Sequence, residues 1–169
     1  MVADILLLTT LLICLYTDIR FKKIYNAVTF PAIIAAVILN LYLYGLKGGF
    51  ESIKGLLTGI ALLFVPFVMG GIGAGDVKLL GVIGAFKGPE FVWISFLAMA
   101  ITGGVISLAI MVRSKNFALR LKAVFYTLLS LFFRTPKMQI LDTIDSSSAL
   151  TFPYGIAITA GAVIAYLLR

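Results

Sequence analysis

The chain contains no histidine, one cysteine (Cys14) and seven carboxylates: Asp4, Asp18, Glu51, Asp76, Glu90, Asp142 and Asp145. These counts restrict the chemistry before any element is placed. Without histidine there is no Ser-His or Cys-His nucleophile and no His-ligated zinc within the chain. A single cysteine gives neither an internal disulfide nor a Cys-x-x-Cys site, and no metal is expected. Ser52 and the run Ser146-Ser147-Ser148 have no lysine at a spacing suited to a Ser-Lys pair. Carboxylates remain. Two of them at one site share a proton, because both cannot ionise cheaply side by side. The ionised member activates water and the protonated one donates to a scissile carbonyl oxygen. That reaction requires no cofactor and no covalent intermediate.

Which two carboxylates could meet depends on the elements that carry them. Of 169 residues, 62% are hydrophobic and 12% charged, and the apolar residues come in long blocks. A soluble domain of this length needs far more polar surface, so the solvent of this chain is lipid. The blocks predict a single all-α domain over residues 1–169, with six transmembrane helices at about 2–17, 27–46, 53–69, 76–86, 90–112 and 152–168. Residues 118–133 are apolar but short for a crossing, and Arg120 and Lys122 interrupt them. They are expected to form an interfacial amphipathic helix with Arg113, Lys115, Arg120 and Lys122 towards headgroups, followed by a polar loop. The block at 76–86 is also short, roughly 15 Å against a ~30 Å hydrocarbon core. It crosses only if the bilayer thins, or if Asp76 or the glycine-rich segment before it already lies at membrane depth.

Charge fixes the expected orientation. With six spans, Arg20, Lys22, Lys23, Lys78, Arg113, Lys115, Arg120, Lys122, Arg134 and Lys137 share one side, ten of fourteen basic residues. That side is read as cytoplasmic, with both termini outside, in the inner membrane. The formal charge of +7 thus belongs to basic loops facing anionic lipid, and nucleic acid is not an expected partner. The first apolar block lacks a basic start and a suitable cleavage site, so it is expected to be a retained span.

This topology sorts the carboxylates. Asp4, Glu51 and Glu90 fall at the outer face and Asp142 and Asp145 in the polar tail, all as solvated charges. Asp18 and Asp76 alone stand at span ends on the cytoplasmic face, where an ionisable group is a functional candidate. Before Asp76 runs Gly70-Gly71-Ile72-Gly73-Ala74-Gly75. Gly73 and Gly75 would let another backbone approach the carboxylate. The plainer reading is a flexible turn with Asp76 as a helix cap. Lys78 is either a cation tuning the pair or an interfacial anchor. Cys14 reads as a small core or lipid-facing residue.

Three blocks carry a family resemblance: Gly73-Ala74-Gly75-Asp76-Val77-Lys78-Leu79; Asp18 followed by Arg20, Ile24 and Asn26; and Phe152-Pro153-Tyr154-Gly155-Ile156. In order and spacing they resemble the type IV prepilin peptidases, a branch of the Gly-x-Gly-Asp intramembrane aspartyl proteases, in their short, single-domain form. The resemblance implies a catalytic pair, Asp18 and Asp76. It implies substrates that are prepilins or pilin-like precursors, cut at the cytoplasmic face just ahead of their hydrophobic helix. Pro153, Tyr154 and Gly155 are expected to pack near the site. The family's Ile-Pro-Asn loop stands here as Ile24-Tyr25-Asn26. The cysteine-bearing N-terminal domain of the larger, methylating members has no counterpart in this sequence, so methyl transfer and its cofactor are not implied. Two other readings stay open: a small ion or proton transporter, and a non-catalytic subunit of a pilus or secretion assembly.

Overall fold

The computed structural model describes residues 2–113 and 154–168. The expected interfacial helix at 118–133, the polar loop after it and Pro153 lie outside the described residues. Helices account for the regular structure that is described: α1 Val2–Phe21, α2 Asn26–Val68, α3 Ala74–Lys87, α4 Pro89–Arg113 and α5 Tyr154–Leu168. Met1–Gly103 with Pro153–Arg169 form one compact unit, and Gly104–Phe152 form another. Val2–Phe21, Asn26–Val68 and Pro89–Ala109 are long and apolar enough to cross a membrane, whereas Tyr154–Leu168 is apolar but shorter.

α2 runs for 43 residues but is not straight. Asn40 Nδ2 donates to the Ala85 carbonyl at 3.1 Å, and Ser52 Oγ donates to the same oxygen at 2.6 Å. A continuous helix would hold Asn40 and Ser52 about 18 Å apart. The chain therefore folds back between them, and the break is Gly45, at φ 64°, ψ −156°. That region of backbone space is essentially closed to residues with a Cβ. Two arms result, each roughly 30 Å long. The sequence predicts two spans here joined by a loop at 47–52. The structure replaces that loop with a one-residue turn, and the second arm resumes at once.

α3 is the core helix. Every residue from Leu79 to Phe86 is buried, as expected of a helix that is apolar all round. Its neighbours approach through glycine. Gly55 and Gly59 of the second arm of α2 face Gly84 and Gly81 of α3, and a Cβ on Gly59 would stand 2.5 Å from the Leu80 carbonyl oxygen. In lipid, where apolar surface alone does not drive helices together, such small-residue contacts let backbones pack closely. α5 meets α4 the same way: a Cβ on Gly161 would lie 2.5 Å from the Ser95 carbonyl oxygen.

α1, α3 and α5 are also tied at the end away from Asp18 and Asp76. Lys87 pairs with Asp4, and Tyr166 donates to Asp4 Oδ1 at 3.1 Å. The Lys87 ammonium lies over the Tyr166 ring at 4.5 Å and the Phe91 ring at 5.5 Å. Asp4 is thus not the solvated charge that its position suggested. The apolar block around it hid partners that arrive from two other helices, α3 and α5. Glu51 does behave as an exposed charge, paired with Lys54 at 3.1 Å.

Candidate active site

Asp18 sits in the last turn of α1, which continues past it to Phe21. The helix ends there because Lys22 adopts φ 51°, the left-handed geometry that closes many helix C-termini. The Lys22 amide donates back to the Asp18 carbonyl at 2.9 Å. Residues 22–25 then turn the chain directly into α2 at Asn26. Asp76 lies in the first turn of α3, three residues after the cap residue Gly73. Its Oδ2 accepts from the Gly73 amide at 3.2 Å, the return half of a capping box. Asp76 is therefore not the cap itself. Gly73 has no side chain to complete the reciprocal bond, so the carboxylate carries the helix start alone.

The two aspartates line one cleft of about 360 Å³, together with Lys22, Lys23, Ile24, Tyr25, Asn26, Gly73 and Gly75. Each is 7% exposed, although their segments are far apart in the chain. Asp18 Oδ2 accepts from the Gly155 amide at 2.8 Å. Asp76 Oδ1 is buried with no hydrogen-bond partner among the described residues. A buried carboxyl oxygen without a partner is costly in a merely structural residue. Here the residue lines a cleft that a second carboxylate also lines.

The glycines act through close approach. A Cβ on Gly75 would meet Ile24 Cβ at 2.8 Å, so its bare face is filled by the turn between α1 and α2. A Cβ on Gly155 would meet Asp18 Oδ2 at 2.6 Å. Lys78 Nζ donates to Asn26 Oδ1 at 2.8 Å and lies 5.2 Å from the Phe30 ring centre. It ties α3 to the start of α2 across the cleft wall. Of the residues singled out from the sequence, Asp18, Asp76, Gly73, Gly75, Asn26 and Gly155 gather at or against the cleft, and Lys78 braces it. Tyr154 opens α5 and is partly exposed. Lys22 and Lys23 were read only as topology markers, yet both line the cleft. Their position immediately after Asp18 was the signal available.

Over residues 5–108 the sequence matches the model of the type IV leader peptidase family. The chain belongs to that family. The matched stretch includes Asp18, Asn26, Gly73, Gly75, Asp76 and Lys78, and ends before α5. No curated protein and no solved structure matches the chain. Family membership makes hydrolysis of peptide bonds the class of activity, and the apolar helices fit a membrane protein. Among the described residues, no group of three or more Cys, Asp or Glu side chains could hold a metal ion.

Proposed function

We propose that the chain is a membrane-embedded aspartyl endopeptidase. It removes the leader of prepilin or pilin-like precursors at the cytoplasmic membrane face, with Asp18 and Asp76 as the catalytic pair. The observation that carries this reading is the meeting of two buried aspartates in one cleft. One is held by a helix-terminal amide, and the other keeps an unpartnered oxygen. A water between them loses a proton to one carboxylate while the other protonates the scissile carbonyl oxygen. The cleft opens at the level of the basic turn Lys22-Lys23, which supports a cytoplasmic position for the cut. Membrane lipids surround the outward apolar faces.

Five of the hydroxyls in the spans are engaged within their own helices, whereas those of Thr29 and Ser95 are buried without a partner among the described residues. Thr9, Thr10, Thr58, Thr102 and Thr159 each donate to a carbonyl one turn back in their own helix. Hydroxyls so engaged do not form a polar path across the bilayer.

The test is cleavage of co-expressed pilin-like precursors, comparing wild type with Asp18→Asn and Asp76→Asn at matched membrane levels. Wild type should cut, and each variant should lose at least about 100-fold in rate. Near-normal cutting by either variant would show the two-aspartate mechanism to be wrong.

A further inference from the structure

The two aspartates are supported differently, and the difference assigns their roles. Asp18 Oδ2 accepts the Gly155 amide at 2.8 Å, and Gly155 is the second residue of α5. Amides in the first turn of a helix have no intrahelical acceptor, and together they carry partial positive charge. A carboxylate placed there gains a hydrogen bond that a neutral acid uses poorly. The contact also depends on glycine, since a Cβ at 155 would stand 2.6 Å from Asp18 Oδ2 and 3.1 Å from its Cβ and Cγ. Any side chain would push the carboxylate off the amide.

Asp76 has the opposite arrangement. Its Oδ2 has the longer, 3.2 Å contact with Gly73, while Oδ1 is buried without a partner. An acceptor-only oxygen gains nothing there. A protonated carboxyl has a hydrogen to give to a carbonyl that reaches Asp76.

We propose that the Gly155 amide is the positioning group that makes Asp18 the proton acceptor, leaving Asp76 as the proton donor. This rests on the peptidase reading above. In the first step the water oxygen bonds to the scissile carbonyl carbon. Asp18 takes one water proton, and Asp76 gives its proton to the carbonyl oxygen, yielding a neutral gem-diol. In the second step the C–N bond breaks. The leaving nitrogen takes the proton held on Asp18, and Asp76 recovers one from a gem-diol hydroxyl. The products are a carboxylic acid and an amine, and the pair returns to its starting state. α5 thereby completes the site from the far end of the chain, outside the stretch that carries the family match.

The experiment uses the full-length membrane protein and a purified pilin-like precursor. It measures kcat and KM separately for wild type, Gly155→Ala and Gly103→Ala. Gly103 also faces α5, but a Cβ there would make an ordinary 3.5 Å contact with Ala157. Gly155→Ala should lower kcat at least about 100-fold with KM within about threefold, as expected when one member of an acid–base pair is misplaced. Gly103→Ala should match wild type. A second arm compares single-turnover cutting by Asp18→Asn and Asp76→Asn. An asparagine at 76 still offers an N–H to the carbonyl oxygen, whereas one at 18 cannot take a proton from water. Asp76→Asn should therefore cut at least about tenfold faster than Asp18→Asn, both far below wild type. A wild-type kcat in Gly155→Ala, a loss seen in KM instead, or an Asp18→Asn as active as Asp76→Asn would overturn the assignment. None of these results would touch the peptidase reading, which fails if wild type does not cut the precursor. Near-normal cutting after loss of an aspartate would refute the two-aspartate mechanism.

Discussion

At the scale of single residues, the cleft depends on contacts that bring remote segments to two carboxylates. Asp18 and Asp76 could be picked from the sequence because so few ionisable groups were available, and only these two were expected at span ends on one face. The role of Lys78 could not be settled that way. Its ammonium bonds Asn26, so it works as a brace between α3 and the start of α2. Asn26→Ala and Lys78→Met should each slow precursor cutting by about three- to thirtyfold without changing membrane levels. The double variant should be little worse than either single one, with a coupling of about 1 kcal/mol. Additive losses in a double-mutant cycle would mean that the two side chains act separately.

At the scale of elements, glycine decides where helices turn and how closely they pack. Gly45 reverses α2 within one residue, in a conformation that costs a side-chain-bearing residue about 1–3 kcal/mol. Gly45→Ala should lower thermal stability in detergent by that amount, although nothing lies within 4 Å of the added methyl. A loss with no steric contact would isolate the backbone effect. Gly84→Val should be worse, about 3 kcal/mol, because Gly84 packs directly on the backbone of Gly55. Gly104→Val serves as the control, with open space at its Cβ position. Equal unfolding temperatures for the Gly84 and Gly104 variants would contradict close packing of α2 on α3. Hydropathy located these helices, but it could not distinguish a six-residue loop from a one-residue reversal. That distinction lies in the φ of a single glycine.

At the scale of the whole molecule, α1, α3 and α5 each carry a site residue at one end and a tie at the other. Asp18, Asp76 and Gly155 meet at the cleft, whereas Asp4, Lys87 and Tyr166 meet at the far end. The far-end tie joins the three helices at the end opposite the cleft. Lys87→Met removes the ammonium that pairs with half-buried Asp4. The expected cost is about 1–3 kcal/mol of stability, read by thermal unfolding in detergent. An unchanged unfolding temperature would reduce the cluster to a surface pair. The proposed topology is tested by cysteine labelling in intact cells. Lys23→Cys and Ile72→Cys should react only once the membrane is permeabilised, and Glu51→Cys should react from outside. Buried Cys14 should stay silent in every case.

The sequence by itself determined the apolar blocks, the helical class and the short choice of carboxylates from which the proposed pair, Asp18 and Asp76, was drawn. Each of these follows from composition, block length or residue type, which are local properties. Only the tertiary structure decided which groups hold those aspartates. The Gly155 amide, the Lys22-Lys23 lining, the Lys78–Asn26 brace and the Asp4–Lys87–Tyr166 tie all join segments distant in the chain. No periodicity records such pairings. They arise where packing brings one helix end to another, at Asp18 closely enough that only a glycine at 155 fits.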